Sequence, residues 1–192
     1  MNRQDNTASV GKRALTVREM LYASAGAALI AVCAWITVPG PVPFTMQTFA
    51  VFMALALLGG KVGTLSIVVY LMIGLFGVPV FAGFAGGPGV LFGPTGGYLL
   101  GFLLTGLIYY LMTLRKPDSL LWSGLSLILG HLVCYTAGTA WFLAVSSAGG
   151  KDVALWTALG WCVFPFLLPD LLKLLLALGL VKLLRKRIGP VR

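Results

Sequence analysis

Acidic residues are scarce in this chain: five Asp and Glu among 192 residues, alongside one histidine and three cysteines. Charge of either sign accounts for 10% of the residues against 59% apolar, where a soluble domain carries about 25% charged residues. That deficit excludes a soluble globular protein, because a sphere of this size cannot hide so much apolar surface from water. The hydrocarbon of a bilayer has to cover it, so the chain is read as a polytopic membrane protein. The same shortage argues against a metal centre, since His131 has too few acidic partners to share an ion with. His131 reads instead as a structural histidine or a lone transport histidine. Cys33, Cys134 and Cys162 stand singly in apolar runs without a CxxC spacing and read as packing residues. No GxxxxGK[ST] phosphate loop is present, and Gly93-Pro94-Thr95-Gly96-Gly97 has no lysine to hold a phosphate. If ATP drives this protein, another chain hydrolyses it. A nucleophile paired with a base is also missing, which leaves an enzyme acting on lipid without its chemistry.

What the chain does have is basic charge at chosen places. Arg3, Lys12, Arg13 and Arg18 precede the first apolar run, while Lys182, Arg185, Lys186, Arg187 and Arg192 follow the last. Lys61, Arg115 with Lys116, and Lys151 mark connections between runs. The net charge of +9 therefore forms no folded face for a nucleic acid. It reads as topology signals and contacts with anionic membrane lipid.

Apolar runs and their punctuation predict six transmembrane helices, at about 20–38, 45–60, 62–77, 93–113, 119–146 and 153–184. The fold class is thus an all-α membrane bundle, one integral domain over 1–192 with basic tails at 1–19 and 185–192. All the basic residues of tails and connections except Lys151 fall on one side, which predicts cytoplasmic N and C termini in a multi-pass protein of the cytoplasmic membrane. Spans two and three are short, a pointer to a transport site.

The first connection is rich in proline (Pro39, Pro41 and Pro43), which predicts an extended course before Gln47 and Thr48. The third connection, about 77–98, is dense in glycine and interleaves Phe81, Phe84 and Phe92. It is expected to fold back on itself as a packed lid, with an ordinary flexible loop as the alternative. Within the last span, Asp170 and Lys173 sit at i and i+3 on one helical face. Measured from Lys182 at ~1.5 Å per residue they lie about 18 and 13 Å into the bilayer, where ionisable groups face a cavity or each other. A self-neutralised structural pair, a ligand site and an ion-coupling site all remain open. Pro169 predicts a fresh helix start that would put Asp170 in a first turn, and Pro165 a kink. Ala23, Ala27 and Ala31 recur every four residues as a smooth face, suited either to packing within the bundle or to docking a partner helix.

Several of these segments together resemble the BioY family, the biotin-binding S components of energy-coupling factor (ECF) transporters. The likeness rests on Pro41-Val42-Pro43 with Gln47-Thr48, Gly77-Val78-Pro79-Val80-Phe81-Ala82-Gly83, Gly93-Pro94-Thr95-Gly96-Gly97-Tyr98 and Asp170-x-x-Lys173. The resemblance implies a six-helix S-component fold that is not an enzyme and needs no cofactor. Biotin would enter from outside into a pocket closed by the first and third connections, with Asp170, Lys173, Gln47, Tyr98, Phe81, Phe84 and Gly86 as substrate-binding residues. It also implies a partner-docking role for Ala23, Ala27 and Ala31 on a transmembrane coupling subunit driven by two ATPases. The alternative is a solitary or self-oligomeric biotin carrier that works without them.

Overall fold

The computed structural model describes residues 15–40, 42–116 and 119–188. Arg3, Lys12, Arg13, Pro41 and Arg192, named above, lie outside the described residues. The first helix, α1 (Val17–Trp35), starts three residues before the predicted span because Thr16 and Glu19 form a reciprocal capping box. Glu19 also reaches Lys61 at 2.8 Å, tying the start of α1 to the middle of α2 (Gln47–Leu75). Residues 17–19 of the expected N-terminal tail and 185–188 of the C-terminal one are thus helical.

Helix α2 corresponds to predicted spans two and three, joined without a loop. Gly59 interrupts the helix at φ 82° and ψ 166°, a conformation open to glycine and strained for other residues. A Cβ on Gly63 would lie 2.7 Å from the Cα of Leu55, although eight residues of straight helix would separate the two by about 12 Å. The chain therefore doubles back, and 47–58 and 60–75 are two limbs of a tight helical hairpin. The break removes the helical partner of the Ala56 carbonyl, which accepts instead from Arg185 at 2.7 Å.

The Ala face of α1 packs inside the molecule. Ala23, Ala27 and Ala31 are 1%, 3% and 7% exposed, and a Cβ on neighbouring Gly26 would overlap Ser66 of α2. The small residues bring α1 and α2 into close contact, so within this chain the stripe expected to dock a partner is covered by α2.

The connection after α1 is a short antiparallel hairpin, β1 (Thr37–Val38) with β2 (Phe44–Thr45), pairing Thr37 with Thr45 and Val38 with Phe44. After α2 the chain forms a 3₁₀ turn (Ala82–Phe84) and a one-turn helix α3 (Pro88–Leu91). It then enters α4 (Gly96–Thr113) and α5 (Leu120–Ala148). The Gly-rich connection is indeed folded on itself, with Phe81 and Ala85 bridging.

The predicted last span is two helices, α6 (Leu155–Cys162) and α7 (Phe164–Ile188), broken at Val163 with φ −127° and ψ −59°. Pro165 lies in the first turn of α7, which accommodates it, and Pro169 lies inside the helix. The expected start at Pro169 is thus corrected to Phe164, and Asp170 sits in the second turn, beyond the free N–H groups of the helix end. The break frees little for a ligand at Val163, whose carbonyl accepts from Phe166 and Leu167.

Five helices among the described residues are long and apolar enough to cross a membrane; with α2 doubled, six helical segments make up this multi-pass membrane protein. Their ends sort by chemistry. The start of α1, the turn of α2, the end of α4 and the end of α7 meet at one end, joined by Glu19–Lys61, Arg185–Ala56 and close contact between Gly60 and Tyr110. The hairpin and the Gly-rich connection gather at the other.

Candidate functional site

Beneath those two connections lies a cavity of about 240 Å³. Its size suits a small ligand, being just under the ~300–1,000 Å³ of drug-sized sites. Phe81, Val90, Leu99, Phe102 and Phe166 supply apolar wall, while Gln47, Thr48, Tyr98, His131, Asp170 and Lys173 supply the polar groups. Each comes from a different part of the chain: Gln47 and Thr48 from the first turn of α2, Tyr98 from that of α4, His131 from mid-α5, and the charged pair from α7.

Asp170 and Lys173 are 4% and 6% exposed and pair at 2.8 Å. Asp170 Oδ1 also accepts from Thr48 Oγ1 at 2.9 Å, and its Oδ2 accepts from Tyr135 Oη at 2.7 Å and lies 3.0 Å from His131 Nε2. Lys173 Nζ donates further to the Thr45 carbonyl at 2.7 Å and to Thr48 Oγ1 at 3.1 Å, and sits 4.1 Å from the centre of the Phe44 ring. A buried charge that lost one of these partners would cost several kcal/mol, so the pair stands only because it is fully bonded.

The other polar groups are held as firmly. Gln47 Nε2 donates to Tyr70 Oη at 3.0 Å, and the hydroxyls of Tyr98 and Thr139 are hydrogen-bonded to each other at 2.9 Å. The Tyr98 ring lies so close to Gly138 that a Cβ there would overlap it. Phe81 is fully buried, edge-on to Tyr70 at 5.4 Å and seated on Gly74. Of the residues singled out from the sequence, the fold thus brings Asp170, Lys173, Gln47, Tyr98 and Phe81 to one cavity. Phe84 and Gly86 lie outside its wall. Phe84 is 63% exposed and stacks on Trp35 at 5.2 Å, and Gly86 lets its backbone approach the Val78 carbonyl, where a Cβ would come within 2.5 Å.

Sequence reasoning missed Thr45, Thr48, His131 and Tyr135 as members of this cluster. Thr48 stood beside Gln47 in a motif already quoted. His131 and Tyr135 carried a faint signal, a polar pair at i and i+4 in an apolar run, and hence on one helical face.

Comparison with known proteins agrees with this architecture. Residues 5–190 match the BioY family. The biotin transporter BioY of Thermotoga maritima is 40% identical over 171 residues, covering 88% of this chain and 97% of the relative. The probable biotin transporter BioY of Pyrococcus horikoshii is 36% identical over 160 residues, covering 83% and 91%. Among solved structures, the S-component for biotin from an ECF-type ABC transporter superposes with a TM-score of 0.78 at 29% identity, covering 92% of this chain and 97% of that one. With likeness of sequence and of helix arrangement running over nearly its whole length, the chain belongs to the BioY family.

Proposed function

We propose that this chain captures biotin in the cavity under the two connections and serves as the substrate-binding subunit of an ECF-type transporter in the cytoplasmic membrane. The observation that carries the reading is a small, mostly apolar cavity with a buried Asp170–Lys173 pair in its wall, on a fold shared with an S-component for biotin. Apolar and aromatic side chains suit fused rings, and a few fixed polar groups suit a ureido group and a carboxylate. The contacts proposed for biotin are Gln47, Tyr98, Phe81 and Lys173, the lysine exchanging its longest bond, to Thr48 at 3.1 Å, for one to the ligand while Asp170 holds it in place.

The basic residues at the end of the bundle away from the cavity support an orientation with both termini in the cytoplasm and the cavity opening outward. Energy has to come from a partner, since the sequence has no phosphate loop; we assign it to a coupling subunit with ATPases. The reading is tested by equilibrium binding of radiolabelled biotin to the purified chain beside a panel of other vitamins. Saturable binding of biotin alone is expected, and equal binding across the panel would overturn the assignment. Uptake in cells with and without the coupling module tests the partner: biotin accumulation in its absence would favour a solitary or oligomeric carrier.

A further inference from the structure

Asp170 is the one acidic side chain buried among the described residues, and all of its hydrogen-bonding capacity is used. Thr48 and Lys173 occupy Oδ1, while His131 and Tyr135 occupy Oδ2; four donors match the four lone-pair sites of a carboxylate. Lys173 likewise spends its three protons on Thr45, Thr48 and Asp170. The lysine therefore stands where the carboxylate puts it, and the carboxylate stands where its second oxygen is tethered.

That tether comes from one face of α5. His131 and Tyr135 are adjacent on it, with ring centroids 4.4 Å apart. The two ring nitrogens of His131 differ in their surroundings. Nε2 faces the carboxylate, whereas Nδ1 is buried without a hydrogen-bond partner, and the Phe52 ring packs at right angles to the imidazole with centroids 5.1 Å apart. An ionised carboxylate only accepts, so Nε2 is the donor in the bond to Asp170. Lys173 offsets the charge of Asp170 directly, which lowers the cost of both groups at membrane depth.

We propose that His131 and Tyr135 are positioning residues of the ligand cavity. By filling Oδ2 of Asp170 they hold Oδ1 on Lys173, and through Lys173 they fix β2 and the start of α2 at the cavity wall. The proposal rests on the reading of this cavity as the biotin site, and its test separates the two. The full chain in lipid nanodiscs would be compared as wild type, His131→Leu, His131→Gln and Tyr135→Phe, by radiolabelled biotin binding and by hydrogen exchange over residues 42–50. His131→Leu should weaken binding at least about tenfold, the scale of a lost hydrogen bond to a charged group, and should speed exchange at 42–50. His131→Gln, whose amide can donate to the same oxygen, should bind within about threefold of wild type and restore slow exchange. Tyr135→Phe should weaken binding about fivefold or more, and it decides the matter if His131→Leu does not fold, because it removes a single hydroxyl. Wild-type affinity in Tyr135→Phe, or a His131→Gln variant as weak as His131→Leu, would overturn the proposal. If the wild type binds no biotin, the ligand assignment fails, and the exchange comparison still judges the tether.

Discussion

The two ends of the cavity are built by opposite means. The charged cluster is held by side chains converging from β2, α2, α5 and α7, with residues up to 128 positions apart in direct contact. The Gly-rich connection above it is shaped by its own backbone, with positive φ at Gly77, Gly83, Phe84 and Gly87. Ahead of α4, two side-chain bonds among the described residues tether it to distant helices, from the indole N–H of Trp35 to the Pro79 carbonyl and from that of Trp141 to the Gly93 carbonyl, each 2.9 Å. Breaking one bond of the cluster leaves a charge buried, whereas breaking one bond of the connection frees a carbonyl that is nearer the surface. The difference teaches where motion is to be expected: the wall should stay fixed because its alternatives are expensive, and the cover should open more readily because its alternatives are cheaper.

The sharpest way to break that comparison is at the charged pair. Asp170→Asn and Lys173→Ala should each weaken biotin binding at least tenfold, about 1.4 kcal/mol or more, because either change leaves the other group unpaired. Binding isotherms on folded protein check this, and wild-type affinity in both would reduce the cluster to a structural fixture. The second test compares the two regions directly. Saturating biotin should slow hydrogen exchange across residues 83–97 far more than across 128–136 of α5, since a closing cover loses opening motions that a buried helix never had. Equal protection in both would mean that the cover is as fixed as the wall. Third, Trp141→Phe keeps an aromatic ring but loses the bond to Gly93; it should cost about 1 kcal/mol in thermal unfolding and speed exchange near Gly93 before it alters the cluster. The smallest effect is expected at Phe84. Its φ of 59° is strained for a residue with a Cβ and its ring lies outside the cavity, so Phe84→Gly should change biotin affinity less than about threefold while relieving roughly 1 kcal/mol of backbone strain. A tenfold loss would bring that ring into the ligand's contacts.

How much of this was legible in advance depends on the range of the interactions. The six apolar runs were, because hydrocarbon coverage is a property of each run by itself. The turn at Gly59–Gly60 was located to within a few residues by its glycines and by Lys61. The start of α7 was misjudged: Pro169 fits a helix start locally, but the chain breaks at Val163 and runs through the proline. The alanine stripe was legible as a contact face, yet spacing cannot say what a face touches, and here it is α2.

The amino-acid sequence by itself determined that the chain lives in a membrane, where it crosses, which two connections are irregular and that a buried acid and base share one helical face. These follow from composition, period and the cost of charge in hydrocarbon, all of which act locally. Only the tertiary structure decided that His131 and Tyr135 complete Asp170, that Thr45 of the hairpin receives Lys173, that Phe84 points away while Phe81 points in, and that the alanines of α1 are spent inside. Those outcomes depend on which segments meet across more than a hundred residues, and a hydrogen bond between distant side chains leaves no period in the sequence from which it could be read.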